Sequence, residues 1–312
     1  MKNQYTIPTN KIAIIGAGAV GSTAAYAATL RNLAAEIVLI DINEAKEEGE
    51  VMDLRDGLCF VETGCVKGAD LKDAKDADII VITAGLPQKP GETRLDLIKK
   101  NKTILTSIFK QIGKLKPTTI VLMIANPVDV LTYLAQEITK LPKNQIFGSG
   151  TNLDTARLKT VLGKHLSVSP QNIHGYVLGE HGDTEFVAWS TVSIGGIKAV
   201  EFKELTKALK QQIEKSVRQE AYEIINRKGA TFYGIGLVIA DILEAILYNQ
   251  HKLMPLSVRV SNWNGANDIC IGVPAVLGRN GVEKVWPLKL PPAESKLFKK
   301  SAETLKNYLS AK

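Results

Sequence analysis

Short apolar segments alternate with helix-forming segments through the first half of the chain. Six segments have the length and apolar character of strands: 12–15, 37–40, 65–68, 77–83, 119–125 and 145–148. Segments with helical spacing lie between them and predict helices: 22–30, 43–55, 93–115 and 128–138. Because strands alternate with helices, we predict an α/β fold built on a doubly wound parallel sheet.

The pattern changes near Gly150. Further helices are predicted over four segments: 152–164, 200–227, 232–248 and 292–309. Shorter β-prone segments lie at 175–178, 187–194 and 253–277. Here helices and strands do not alternate regularly, which is typical of an α+β domain. We therefore predict two domains, residues 1–149 with the parallel sheet and residues 150–312 with the α+β arrangement.

A glycine motif separates the first predicted strand from the first predicted helix. Gly16, Gly18 and Gly21 have G-x-G-x-x-G spacing, and the next strand ends at Asp41. The glycines allow a tight turn, a close approach of pyrophosphate and close packing of the helix, whose N-terminus favours phosphate. A carboxylate at Asp41 can accept hydrogen bonds from a ribose and repels a 2′-phosphate, so this Rossmann unit predicts NAD. The alternative is an ordinary βαβ unit with a tight turn.

The carboxyl ends of parallel strands are where such sheets bind ligands. The predicted strands end close to Gly16, Asp41, Thr83 and Asn126, so we place the cofactor along this edge. The residues predicted to contact the cofactor are Gly16, Gly18, Ala19, Val20, Gly21, Asp41, Thr83, Ala84, Gly85 and Asn126.

Four histidines are present, and one lies in an unusual segment. His181 stands in Gly-Glu-His-Gly-Asp, and the flanking glycines bring the backbone close to a ligand and expose the imidazole. The two interpretations left open by this segment are a catalytic histidine and a hydrogen-bonded loop histidine. His165 and His251 lie near predicted helix C-termini, where a partial positive charge is favourable, so we give them structural roles.

Charged residues suggest how a small acid could be bound. Asp154 and Arg157 are three residues apart on one predicted helix and share a face. They could form an ordinary surface ion pair, or Asp154 could hold the histidine while Arg157 binds a substrate carboxylate through two bonds. Arg94 follows a loop, 85–93, that contains two prolines and two glycines and could act as a lid.

The composition limits the alternatives. With 45% hydrophobic and 23% charged residues among 312, the chain has the balance of a soluble globular protein. It contains no run of ~20 apolar residues, and its first ten residues are largely polar, so we predict neither a membrane span nor a secretory signal. Cys59, Cys65 and Cys270 form no C-x-x-C pair, which favours a reducing cytoplasmic location and no metal.

The net charge of +7 raises the possibility of a nucleic-acid partner. The lysines are scattered, with only mild clusters at 99–102 and 296–300, and no nucleic-acid motif accompanies them. Solvated helix faces explain them better, and a positive field also suits a protein whose cofactor and substrate are anions. We therefore predict no nucleic-acid partner.

Several of these features form one ordered set, and the chain resembles the L-lactate/malate dehydrogenase family from about Lys11 to the final helix. The motifs that carry the resemblance are GAGAVG at 16–21, Asp41, QKPGETR at 88–94, NPVD at 126–129, LDTAR at 153–157 and GEHGD at 179–183. The resemblance implies a Rossmann NAD-binding domain followed by a substrate-binding and catalytic domain, and a homotetramer or, as the alternative, a homodimer.

The resemblance also implies residue roles. His181 would be the proton donor and acceptor, paired with Asp154. Arg157 would bind the substrate carboxylate, and Arg94 would polarise the reacting carbonyl. Asn126 would assist near the nicotinamide and substrate, although it could also be a turn residue before proline. Thr231 lies where the family has a wall of its substrate pocket.

The family's specificity position is occupied by Gln88, on the lid. Relatives that reduce oxaloacetate have an arginine there to pair with the second carboxylate. Gln88 has no charge, so oxaloacetate would bury a carboxylate without a counter-ion, at a cost of several kcal/mol. This favours pyruvate as substrate over oxaloacetate. Leu86-Pro87 is more similar to the malate enzymes, which keeps malate dehydrogenation and broad 2-keto-acid use as alternatives.

Two further hypotheses concern regulation and class. Some bacterial members of the family bind fructose 1,6-bisphosphate between subunits through a histidine and an arginine; His174 matches the histidine, and Lys159 stands in place of the arginine. Lysine keeps the charge but lacks the bidentate fork, so the alternative is a plain surface histidine. A second hypothesis is that the chain is a non-catalytic NAD-binding protein. The presence together of the histidine, its aspartate and both arginines argues against it.

Overall fold

The computed structural model describes residues 10–87 and 91–310. Within these ranges the strands are β1 Lys11–Ile15, β2 Glu36–Ile40, β3 Cys65–Gly68, β4 Ile79–Ile82, β5 Ile120–Met123, β6 Ile146–Gly148, β7 Ile173–His174, β8 Val177–Leu178, β9 Phe186–Val187, β10 Ser193–Ile194, β11 Ile197–Lys198, β12 Lys252–Val260, β13 Ile269–Gly278 and β14 Gly281–Val285. The α-helices are α1 Ala19–Leu30, α2 Glu44–Asp56, α3 Arg94–Ile112, α4 Val128–Thr139, α5 Asn152–Leu166, α6 Lys207–Lys228, α7 Tyr233–Leu247 and α8 Pro292–Ser310.

Six parallel strands form one end of the main sheet, in the order β3-β2-β1-β4-β5-β6. Their side chains are buried on both faces in β1, β2, β4 and β5, as helices on both sides of a parallel sheet require. The chain reverses its direction of travel between β1 and β4, which creates a crevice beyond the carboxyl ends of the strands. The predicted doubly wound sheet is confirmed.

The sheet does not stop at the parallel strands. β12 pairs antiparallel with β6 at Ser257 and Gly148, and β13 and β14 follow, so the described sheet has nine strands. The β-prone segments predicted over 253–277 are present as β12 and β13, but the prediction that they are short was wrong. β12 and β13 are nine and ten residues long and almost wholly buried, because they continue a sheet begun in the first half of the chain.

Two other predicted elements need correction. The helix predicted over 200–227 begins at Lys207, where the Thr206 side chain accepts a hydrogen bond from the backbone N–H of Leu209 and caps the first turn. The strand predicted over 187–194 is interrupted by a 3₁₀ turn, Trp189–Thr191. Local apolar character predicts neither a cap nor a short turn of this kind.

The small residues of α1 allow it to pack closely against α7. A methyl group on Gly236 would meet the side chain of Thr23 at 2.6 Å, so glycine is required for this contact. A second, smaller core lies beneath α6 and includes Leu158, Leu162 and Ile213. None of the helices in 10–87 and 91–310 combines the length and the apolar character needed to span a bilayer.

Candidate active site

The glycine turn between β1 and α1 has the geometry that the motif predicts. Gly16 has φ +107°, in the region that favours glycine, and its N–H donates to the carbonyl of Ile40 at 2.7 Å. A methyl group on Gly21 would collide with the carbonyl oxygen of Gly16. The Thr83 hydroxyl donates to the same carbonyl at 2.8 Å and joins the end of β4 to the turn.

The N-terminus of α1 is open to a ligand. Gly18 is the N-cap residue, no side chain caps it, and no heavy atom lies within 4 Å of the position that its Cβ would take. The first intrahelical bond of α1 from this end runs from Ser22 N–H to the Gly18 carbonyl, at 2.9 Å. The preceding N–H groups, including those of Ala19 and Val20, therefore face outward as donors for a pyrophosphate.

Asp41 is oriented by the backbone around it. One carboxylate oxygen accepts from Ala17 N–H at 2.7 Å, and the other accepts from Asn43 N–H at 2.9 Å. Each oxygen keeps a lone pair for a ribose hydroxyl, since an ionised carboxylate accepts about four hydrogen bonds. The turn, the helix end and this carboxylate together fit the phosphates and the ribose of a dinucleotide.

Asn101 connects the start of the lid loop to Asn126, a role that sequence reasoning missed. Its side chain is 2% exposed; the oxygen accepts from Leu86 N–H at 2.8 Å, and the amide nitrogen donates to the Asn126 carbonyl at 2.8 Å. Asn126 itself is exposed at the end of β5. Gly85 borders Ala125 and Asn101, and Ala84 borders Gly16, so the strand ends predicted to line the cofactor edge are brought together. The sequence does offer one signal for this role, because Asn101 is a polar residue among the apolar positions of α3.

His181 contacts Asp154 deep in the second half of the chain. The His181 Nδ1 atom lies 2.7 Å from Asp154 Oδ2, and Arg157 Nη1 donates to Asp154 Oδ1 at 2.8 Å. Asp154 is 1% exposed and Arg157 7% exposed, so their pair is not a surface ion pair. About a quarter of the His181 side chain is exposed, which leaves its other ring nitrogen available on the open side.

A second carboxylate holds the backbone of His181. Asp129, near the start of α4, accepts from His181 N–H at 2.8 Å and from the Ser257 hydroxyl at 2.6 Å. Ser257 lies on β12, so the antiparallel extension of the sheet brings it to this place. Asp129 belongs to the NPVD motif, but the sequence alone gives it no role, because its partners lie 52 and 128 residues away.

Electrostatics in this cluster favour a protonated histidine. Burial alone would lower the pKa of His181, but the charge and the hydrogen bond of Asp154 raise it to about 9. Burial also opposes ionisation of Asp154, yet His181 and Arg157 together hold the pKa of Asp154 below its ordinary value. Burial raises the pKa of Asp129 to about 6. The imidazole is therefore charged at neutral pH in the free protein.

Arg94 is the first residue of α3, and the preceding Thr93 caps this helix. Its Nη2 lies 3.9 Å from Glu180 Oε1 and also borders Gly182, beside His181. Its Nε is buried and has no hydrogen-bond partner among the described residues. The guanidinium thus lies next to the histidine with donors available. Two hydrogen bonds hold Glu180 in place. Its carboxylate accepts from the Thr184 hydroxyl, and its backbone N–H donates to the Ser301 hydroxyl.

Within 10–87 and 91–310, the remaining predicted residues make none of the contacts described above for the His181 cluster. Gln88 lies outside the described residues. Thr231 is half-buried between α6 and α7, and His174 is exposed on β7. Lys159 is half-buried on α5, and its pKa is lowered by burial and by the charge of Lys252.

Both halves of the chain match known family descriptions. Residues 10–148 match "lactate/malate dehydrogenase, NAD binding domain", and residues 151–312 match "lactate/malate dehydrogenase, alpha/beta C-terminal domain". The fold and the cofactor predicted from the sequence, NAD, are therefore confirmed.

Curated relatives and solved structures agree with this match. L-lactate dehydrogenase of Clostridium botulinum is 45% identical over 307 residues, covering 97% of this chain and 96% of the relative. That of Latilactobacillus sakei is 45% identical over 304 residues, covering 96% and 94%. The minor L-lactate dehydrogenase of Enterococcus mundtii superposes with a TM-score of 0.94 at 39% identity, over 97% and 98% of the two chains. A lactate dehydrogenase from a deep-sea metagenome library superposes with a TM-score of 0.93 at 39% sequence identity. This match covers 98% of this chain and 99% of that chain.

Proposed function

Because this chain belongs to the lactate/malate dehydrogenase family, we propose that it is an NAD-dependent L-lactate dehydrogenase. It interconverts pyruvate and L-lactate, with NADH and NAD as hydride donor and acceptor. The observation that carries the proposal is the 2.7 Å contact between His181 and the buried Asp154, which keeps a proton on the imidazole at neutral pH.

NAD binds along the carboxyl edge of the parallel strands. Gly16, Gly18 and Gly21 form the turn that admits the pyrophosphate, and the N–H groups of Ala19 and Val20 donate to it. Asp41 accepts from the adenosine ribose. When bound, the nicotinamide supplies or receives the hydride. Asn126 and the strand end Thr83–Gly85 would contact the bound cofactor at the same edge.

His181 acts as the acid in pyruvate reduction and as the base in lactate oxidation. As negative charge grows on the keto oxygen, the imidazolium neutralises it by donating its proton. Asp154 stabilises the imidazolium and fixes the ring through Nδ1, which leaves Nε2 for the substrate. In the reverse direction the neutral imidazole takes the hydroxyl proton of lactate.

Two arginines orient the substrate. Arg157 donates a hydrogen bond from Nη1 to Asp154, and its remaining N–H groups bind the substrate carboxylate. Arg94 leaves its 3.9 Å approach to Glu180 and donates to the keto oxygen, where it stabilises the growing charge. Loss of such a charged donor costs about 3–4 kcal/mol of barrier. Thr231 forms part of the wall that contacts the substrate methyl.

Gln88 selects pyruvate over oxaloacetate in this proposal. The names of the curated relatives support lactate over malate as product. The absence of a charge on Gln88 supplies the physical reason, since a buried second carboxylate would lack a counter-ion. Malate dehydrogenation agrees less well with the names of the curated relatives. NAD binding without catalysis would leave the buried charged site without a role.

The test is the loss of NADH absorbance with pyruvate and, separately, with oxaloacetate. The wild-type protein should prefer pyruvate, and Gln88→Arg should lower the ratio of kcat/KM for pyruvate over oxaloacetate by at least ~tenfold, because a charge pair is worth more than 1.4 kcal/mol in a closed site. A protein that reduces neither acid contradicts the function, and an unchanged ratio contradicts the role of Gln88 alone.

We further propose a homotetramer acting in the cytoplasm. Large apolar side chains are exposed on and beside α1 and α7 in the single chain: Tyr26, Leu30, Phe60 and Leu237. Exposed large apolar side chains favour association, and the free cysteines suit a reducing compartment. Light scattering that gives the mass of one chain contradicts the tetramer.

Activation by fructose 1,6-bisphosphate is the last part of this proposal. The exposed His174 on β7 and the half-buried Lys159 on α5 are the groups proposed to bind the bisphosphate. Rates at low pyruvate with and without the sugar phosphate test it, and identical curves contradict it.

A further inference from the structure

Glu185 is a buried carboxyl group at the active site that the mechanism above does not use. It lies four residues after His181 and just before β9, with 4% of its surface exposed. Its Oε2 is 3.9 Å from His181 Nδ1. The nearest polar atoms of Glu185, His181 and Asp154 all lie within 4.8 Å of one another. Glu185 therefore belongs to the same cluster as the acid–base pair.

The charges around Glu185 do not support a second carboxylate. Asp154 already takes the buried cations, since it contacts both Arg157 and His181. Asp129 adds another carboxyl on the far side of the His181 backbone, and Glu180 stands beyond it. An ionised Glu185 would face Asp154 and would have to share His181 and Arg157 with it in a buried site, which is unfavourable.

We propose that Glu185 is a positioning residue that remains a protonated carboxylic acid, donates its O–H to Asp154, and thereby moderates the hold of Asp154 on the His181 proton. This inference rests on the proposed role of His181 as the acid. Burial raises the pKa of Glu185 well above its ordinary value, and so does repulsion by Asp154, in agreement with the geometry. The side chains of His181 and Arg157 then face one carboxylate, Asp154, while Asp129 binds the backbone N–H of His181.

A neutral donor changes the dyad in a definite direction. A hydrogen bond to Asp154 stabilises its negative charge and reduces the charge left to attract the imidazolium. Glu185 therefore lowers the pKa of His181 relative to a site in which Asp154 lacked this bond. An ionised Glu185 would do the opposite, because a negative charge 3.9 Å from Nδ1 would raise that pKa.

Glu185→Gln separates these two cases, because glutamine has the same shape, a donor and no charge. The pH dependence of kcat/KM for pyruvate reduction reports the pKa of His181. We expect the alkaline midpoint of Glu185→Gln to stay within ~0.3 pH unit of wild type, since a neutral donor replaces a neutral donor. A midpoint lower by about one unit or more would mean that a carboxylate had been removed, and would overturn the proposal.

Glu185→Leu removes the donor while keeping most of the volume. We expect its midpoint to rise by roughly one unit, because Asp154 then holds the proton more strongly. An unmoved midpoint would show that Glu185 only fills space and would also overturn the proposal. Thermal unfolding of both variants identifies a general loss of structure, which changes the melting temperature without moving the midpoint.

A readout without substrate or cofactor separates this proposal from the function itself. Nuclear magnetic resonance follows the ring of His181 during a pH titration of the free protein, and its signal among the four histidines is the one absent from His181→Asn. We expect the titration midpoint of the His181 ring to change in Glu185→Gln and Glu185→Leu by the same amounts as the midpoint of kcat/KM. If wild-type protein ignores pyruvate, the proposed function fails, while this titration still decides the protonation state of Glu185.

Discussion

The cofactor edge and the acid–base cluster are built in different ways. The part of the cofactor edge proposed to bind the phosphates and the ribose is mainly backbone and is formed by one continuous stretch from β1 to Asp41. The acid–base cluster consists of side chains from α4, α5, the loop after β8 and β12, whose hydrogen bonds span 27, 52 and 128 residues. The first depends on the absence of side chains, whereas the second depends on burial of specific charges.

This difference determines how each region can be damaged. An added methyl group harms the backbone site, because it occupies the space of a carbonyl or of a phosphate. A changed proton or charge harms the acid–base cluster, because its groups stabilise one another in a buried place. The two regions should therefore respond to separate kinds of substitution.

The largest effect is expected from His181→Asn. Turnover of pyruvate should fall by roughly 10²–10⁴-fold, because the proposed proton donor is lost. Binding of NADH, followed by fluorescence, should change less than about twofold, since His181 lies outside the cofactor edge. Turnover near the wild-type rate would remove His181 from the chemistry, and a large loss of NADH binding would contradict the separation of the two regions.

Two alanine substitutions sharpen the comparison within the glycine turn. Gly18→Ala meets no neighbouring atom, so the protein should fold normally while NADH affinity falls by roughly tenfold or more, the equivalent of 1.4 kcal/mol, because the methyl group meets the pyrophosphate. Gly21→Ala collides with the Gly16 carbonyl and should lower the free energy of unfolding by about 1–3 kcal/mol. Melting temperature and NADH titration measure both. Equal loss of stability in the two variants would be inconsistent with this assignment.

The pH dependence should follow the raised pKa of His181. In the proposed mechanism pyruvate reduction requires the protonated imidazole, so kcat/KM should be constant at neutral pH and fall about tenfold per unit above pH 9. Lactate oxidation requires the neutral ring and should rise through the same range. Asp154→Asn should shift the midpoint below 9, because burial then acts on His181 without its carboxylate partner. A midpoint that ignores this substitution would contradict the pairing.

The smallest effect is expected from Ser257→Ala. The change removes one of the two hydrogen bonds to Asp129 and should lower the free energy of unfolding by about 1–3 kcal/mol, with only a few-fold loss of kcat. Thr132→Val is the matched control, because it removes a buried hydroxyl bond to Val128 that does not touch the cluster. If both variants lose the same activity, Ser257 has no particular connection to His181.

The sequence anticipated elements whose causes are local. The segment 65–68 was predicted with the bounds that β3 has, and the glycine turn has the form that its spacing implies. Pairings with distant causes were not predicted: β12 and β13 extend a sheet from the other half of the chain. Asn101 was overlooked for the same reason, since its partners lie 15 and 25 residues away.

By itself the sequence determined the order of strands and helices, the glycine turn and the types of chemical group that are present, because neighbours along the chain set backbone conformation. Only the tertiary structure decided that Asp154 and Arg157 are buried together, that Asp129 holds the backbone of His181, and that the histidine keeps its proton up to about pH 9. Protonation depends on burial and on nearby charges, and these are supplied by residues far apart in the sequence.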